Sequence, residues 1–225
     1  MNITKPSIII PITLILAFSL ASCANWSKAT TGTVIGTGTG AAVGAVVGKT
    51  LGNTAAGAIA GAVVGGTVGN IIGRNMDRKA KELEDEMEGV TIQRVEEGIA
   101  VSFDSGILFD FDSSTLRPAS HENLRKLTTI INRDSDTILM IVGHTDSRGD
   151  EGYNMSLSER RARAASSFMM SQGLSASRIQ IIGRGELEPI ADNNTDAGRQ
   201  KNRRIEVAIY ASPEYVQRVK SSTSP

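Results

Sequence analysis

The stretch Val142–Arg161, VGHTDSRGDEGYNMSLSERR, decides how the chain is read. It opens as the end of an apolar strand (Ile138, Leu139, Met140, Ile141, Val142) and breaks at Gly143. It then crosses a polar loop carrying Asp146 and enters a helix near Tyr153. At about 100° per residue, Leu157, Arg161, Ala164 and Phe168 share one helix face, with Tyr153 and Asn154 nearby, while Arg160 and Arg163 point elsewhere. Arg161 therefore falls in the middle of the face expected to pack on a sheet. A buried guanidinium with no partner is too costly to keep. The spacing leaves two readings open: a structural ion pair with Asp146 or Asp112, or a carboxylate that arrives with a ligand.

The flanking sequence carries further motifs in a fixed order: GHTDSRG, then YNMSLSERRA, then IIGRGELEPIADN, then NTDAGRQKNRRIEV. From about Ile107 to Ile209 this string closely resembles the OmpA-like peptidoglycan-binding domain. The resemblance implies that the ligand is the diaminopimelate of the peptidoglycan stem peptide. Matched by motif, the Asp of GHTD is Asp146 and the last Arg of LSxRR is Arg161. Diaminopimelate carries an ammonium and a carboxylate on one carbon, a zwitterion suited to an Asp and an Arg acting together. The resemblance adds Asn154 as a donor to a ligand carboxylate, Thr145 beside the key Asp, Leu157 as wall, and the loop of Asp112 as a source of backbone donors. Arg203 is favoured over Arg204 as a further positive charge, by motif position and because neighbours on a strand face opposite ways.

The expected fold is α+β, of βαβαβ type, with helices packed on one face of a mixed sheet. A hairpin spans Val90–Val95 and Ile99–Phe103, turning at Glu96-Glu97-Gly98, and Ile107–Phe111 reads as a short strand. Asp112, Ser113 or Ser114 is positioned to cap the helix that follows, and Gly173 to end the motif helix in a left-handed conformation. The domain is expected over 90–212, with 213–225 a loose tail.

Upstream, residues 1–22 read as an export signal: Lys5, an apolar run from Ile8 to Leu20, then small residues. Leu20-Ala21-Ser22-Cys23 resembles a lipobox, which implies a lipidated N-terminus over 23–31 with acyl chains on Cys23. The following Ala24, rather than Asp, implies the outer membrane by the sorting rule for such lipoproteins, and several acyl chains hold a protein firmly at a bilayer. The OmpA-like domain would then lie in the periplasm.

Residues 32–73 form a glycine ladder: Gly32, Gly36, Gly40, Gly44, Gly48 and Gly52, then, one residue out of phase, Gly57, Gly61, Gly65, Gly69 and Gly73. A period of four makes a smooth ridge on a helix. The slip at Gly52-Asn53-Thr54 marks the turn of a helical hairpin whose arms, about 20 residues each, reach across a bilayer core. It resembles the glycine-zipper segments of bacterial envelope proteins. Membrane packing and homo-oligomerisation, ladder against ladder, are both open. Residues 74–89 read as a charged helical connector with Met76, Ala80, Leu83 and Met87 as its stripe, lifting the domain off the membrane.

Composition narrows the function. The net charge is zero, so no global field favours nucleic acid. The basic run Arg199, Lys201, Arg203, Arg204 lacks interleaved aromatics. One cysteine excludes an internal disulfide, and two histidines make no metal-ligand cluster. Acids such as Asp146, Glu159 and Glu186 fall in different loops and helix faces, with no nucleophile–base pair. A wall-binding tether without cofactor, metal or catalysis is expected. The alternative is a ladder-driven membrane oligomer, or a pore, that uses the wall for positioning.

Overall fold

Strand β3 (Thr137–Gly143) is buried along its whole length, as its unbroken apolar sequence requires. Its odd residues Leu139 and Ile141 enter one core, and Ile138, Met140 and Val142 enter another on the opposite face. Around it lies a five-stranded mixed sheet in the order β1-β2-β5-β3-β4, made with β1 (Val90–Val95), β2 (Gly98–Asp104), β4 (Ile179–Gly183) and β5 (Arg204–Ala211). The β3–β4 pair is parallel and the other three pairs are antiparallel. This computed structural model describes residues 53–110 and 112–223. The signal segment, Cys23 and the first arm of the glycine ladder lie outside the described residues.

The helices are α1 (Thr54–Gly61), α2 (Gly66–Glu86), α3 (Ser105–Leu108), α4 (Ser120–Ile131), α5 (Glu151–Ser171), α6 (Asp196–Asn202) and α7 (Pro213–Thr223). The larger core joins α2, α4 and α5 to one sheet face. Met76, Leu83, Leu124, Leu127, Ala165 and Met169 meet Val101, Phe103, Ile141 and Val207 there. Each large apolar side chain so buried contributes about 1.5–3 kcal/mol. Helix α5 ends as its sequence predicts: Gly173 takes φ 95°, and Leu174 N donates to Met169 O across the Schellman turn.

Several expectations change. The second ladder arm is not one continuous helix. It breaks at 62–65, where the Glu97 carboxylate accepts from Val64 N (2.8 Å) and Gly65 N (2.9 Å), and Gly65 and Gly66 take positive φ. The piece before the break, α1, is capped by Asn53 and lies on the second sheet face, with Ala55, Ala58 and Ile59 against Met140, Val142, Ile182 and Ala208. Helices thus cover both faces, the additional one being supplied by the ladder. Among the described residues no helix is long and apolar enough to cross a membrane.

The charged connector is likewise part of the domain. Ile72, Met76, Ala80 and Leu83 of α2 are core residues, and its buried Lys79 pairs with Asp134 at 2.5 Å. The expected strand at 107–111 is instead the turn α3, followed by a bridge between Phe109 and Leu116. Helix α4 begins at Ser120, later than expected, so its N-cap position falls on Ala119 and Asp112–Ser114 do not cap it; Ser120 Oγ donates back to Arg117 O at 2.6 Å. The expected loose tail carries α7, whose Val219 is buried and whose Tyr215 accepts from Asn75 of α2 at 3.2 Å.

Candidate functional site

The C-terminal end of β3 delivers the site. The last residue of β3 is glycine because a Cβ on Gly143 would lie 2.1 Å from Ser158 O, so α5 presses directly on the strand backbone. Thr145 N then bonds Gly185 O at 2.8 Å, and Asp146 follows. Helix α5 starts where Asp150 accepts from Tyr153 N at 3.1 Å, a cap not read from the sequence.

Asp112, Thr145, Asp146, Asn154, Leu157, Arg161 and Arg203 all line one open cleft of about 200 Å³. Ser105, Gly106, Phe109, Asp110, Arg148, Tyr153 and Gln200 complete it. Asp146 is 7% exposed. Its Oδ1 accepts from Arg148 N at 3.0 Å and its Oδ2 from Arg203 Nη1 at 2.5 Å. Arg203 is therefore the arginine that pairs with Asp146. Its second amine donates to Gln200 Oε1, and Gln200 Nε2 reaches Asp104 at 2.5 Å. Gln200 was missed in the sequence, although its i,i+3 spacing to Arg203 on a short helix is a usable signal.

Arg161 is only 3% exposed. The buried face of α5 runs through Asn154, Leu157, Ser158, Arg161, Ala162, Ala165, Ser166 and Met169, so Arg161 lies within that face, as its spacing predicts. Its Nε donates to Ser113 O at 2.9 Å, and its guanidinium stands 5.4 Å from the Phe109 ring centroid. Among the described residues no carboxylate lies within 4.0 Å of it, and its terminal amines have no hydrogen-bond partner. Burial lowers its pKa from the usual guanidinium range, opposed first by Asp112 and more weakly by Asp146. The structural ion pair that spacing allowed is absent among the described residues.

The rim is set by Asp112, in the left-handed region at φ 55°, whose Oδ1 accepts from Tyr153 Oη at 2.6 Å. That bond raises the phenol pKa. Asn154 is committed to the loop: its amide nitrogen contacts Asp146 O (3.3 Å), Arg148 O (3.0 Å) and Glu186 Oε2 (2.6 Å). Thr145, 4% exposed, leaves Oγ1 without a partner among the described residues. Leu157 supplies apolar wall. Arg204 turns away from this cleft to the other sheet face, where its Nε bonds Glu206 at 2.6 Å. Alternating acids and arginines around a small cleft suit a zwitterion better than a simple anion or cation.

Comparison with known proteins places the domain. The OmpA family model matches residues 108–203, and a YMGG-like Gly-zipper model matches residues 1–77. Outer membrane protein A of Bordetella avium is 42% identical over 112 residues, covering 50% of this chain and 58% of that protein. The outer-membrane lipoprotein YfiB of Pseudomonas aeruginosa is 38% identical over 117 residues, 52% of this chain and 69% of that one. The solved structure of the cell wall anchor of the T6SS from Pseudomonas aeruginosa is 25% identical with a TM-score of 0.55, over 61% of this chain and 99% of that chain. With the motif order, the mixed sheet and the relatives in agreement, this chain belongs to the OmpA family.

Proposed function

We propose that this protein binds peptidoglycan non-covalently through stem-peptide diaminopimelate, and so tethers the outer membrane to the cell wall. The observation that carries the reading is Arg161: a guanidinium 3% exposed, in a cleft, without a carboxylate within 4.0 Å among the described residues. A buried charge left so is unfavourable, and a ligand carboxylate supplies the missing partner in planar, two-pronged form. The ligand ammonium goes to Asp146, which Arg203 and the Arg148 amide hold in place. Asn154 fixes the loop that carries Asp146, and Leu157 and Phe109 line the space beside the ligand stem. The relative described as a cell wall anchor supports the same reading. The residues act by binding and orientation, and no catalytic step is assigned.

In this reading Cys23 carries the lipid, the outer membrane is the site of anchoring, and the cleft faces the wall from the periplasm. The test uses the full chain in detergent micelles, sedimented with purified diaminopimelate-type sacculi. Wild type is expected in the pellet. Asp146→Ala and Arg161→Ala are expected in the supernatant while melting cooperatively. Folded variants that sediment as wild type does would overturn the assignment.

A further inference from the structure

The turn from Arg184 to Glu188 stands between two sites and bonds both. On one side it supports the cleft. Gly185 O accepts from Thr145 N at 2.8 Å, Gly185 N donates to Ser158 Oγ at 2.9 Å, and Glu186 holds Asn154 at 2.6 Å. Gly185 also sits so close to α5 that a Cβ there would lie 2.9 Å from Met155 N. On the other side the turn holds α1. Glu188 Oε2 accepts from Thr54 N at 3.0 Å, a carboxylate at a helix N-terminus, and Glu188 Oε1 accepts from Thr54 Oγ1 at 2.5 Å. Arg184 Nε reaches Thr54 Oγ1 at 2.6 Å and Glu188 at 3.2 Å. Arg204 Nη1 ties Glu188 O into the same cluster at 3.2 Å.

Helix α1 is weakly held otherwise. It has 8 residues, too few to be helical alone, and buries only Ala55, Ala58 and Ile59 as apolar contacts. An element of this kind opens at low free energy. We infer that docking of α1 on the second sheet face and ligand binding in the cleft are coupled through the Arg184–Glu188 turn, so that a ladder arm held on the domain tightens the wall site. Coupling of this sort is reciprocal: whatever α1 does for the ligand, the ligand does for α1. A pull that strips the arm from the sheet then loosens the grip on the wall. The inference rests on the wall-binding reading, because it concerns the affinity of that same cleft.

The test is hydrogen exchange and muropeptide titration on the full chain in detergent micelles, with a soluble diaminopimelate-containing muropeptide as probe. Two variants release α1 without touching the cleft. Thr54→Val removes the bridging hydroxyl, and Ala58→Glu forces a charge against the sheet. In wild type the muropeptide is expected to slow exchange over 54–61 as well as over 144–161. In either variant 54–61 exchanges quickly and the muropeptide binds about fivefold more weakly. Released variants that bind as tightly as wild type overturn the coupling and leave the wall reading intact. So does protection of 144–161 with no change over 54–61. If neither variant speeds exchange, α1 is a fixed part of the core and the coupling is wrong. If wild type shows no protection anywhere, the wall reading fails and takes the coupling with it.

Discussion

Two arginine clusters flank the start of β5, and consecutive residues belong to different ones. Arg203 faces the cleft with Asp146 and Arg161, while Arg204 faces the second sheet face with Glu206, Arg184 and Glu188. The residue types are alike and the closure is not. In the second cluster each arginine meets a carboxylate, at 2.6 Å for Arg204–Glu206 and 3.2 Å for Arg184–Glu188, and a helix seals the site. In the first, Arg161 meets only a backbone carbonyl and a ring, and the site is open. Charges that pair with each other hold a fold together. A charge kept buried without its counterion marks a place for a ligand.

Glu188 holds the second cluster together, accepting from Thr54 and lying 3.2 Å from Arg184. Replacing it by Ala strands Arg184 and Thr54 and is expected to cost about 3–5 kcal/mol of unfolding free energy in a urea titration. A loss below 1 kcal/mol would show that the second cluster is not structural. Arg161→Ala should behave in the opposite manner. It removes a buried charge that has no carboxylate, so urea stability should change by less than about 1 kcal/mol, while muropeptide binding loses about 2–5 kcal/mol. A large stability loss there would make Arg161 a structural residue.

A smaller effect comes from His144, buried beside the second cluster, 3.8 Å from Glu206. Burial first, then Arg204 and Arg184, hold its pKa well below 6.5. Between that folded value and the unfolded one near 6.5, the unfolded chain binds more protons, so stability rises with pH. Unfolding free energy should therefore fall as pH drops below about 6.5, by at most about 1.4 kcal/mol per unit from this group. His144→Gln should flatten that part of the profile, and an unchanged slope would assign it to other groups.

The cleft was more legible in the sequence than its surroundings, for physical reasons. Helical spacing put Arg161 on a buried side of α5, a local periodicity; Arg203 was favoured over Arg204 by alternation, but it caps α6 and precedes β5, and the chain turns between the two. The place of the second ladder arm is not legible, because small apolar residues at a period of four fit a membrane, a second helix or a sheet face equally well. Only long-range partners decide, here Glu188 for Thr54 and Glu97 for the break at 62–65. The stripe of α2 was read correctly as packing, but its partner, the domain's own core, carries no local signal. The Asp112 loop does not cap the next helix because that helix starts at Ser120, eight residues on; Asp112 instead accepts from Tyr153, 41 positions away.

The most direct measurement is a calorimetric titration of the full chain in micelles with two matched stem tripeptides, one carrying diaminopimelate and one carrying lysine. Lysine has the chain and an amine but lacks the second carboxylate that Arg161 is held to receive. Binding of the diaminopimelate peptide with a loss of at least about 2 kcal/mol for the lysine peptide is the expected result. Equal affinity for the two would contradict the assignment of Arg161 as the carboxylate receptor.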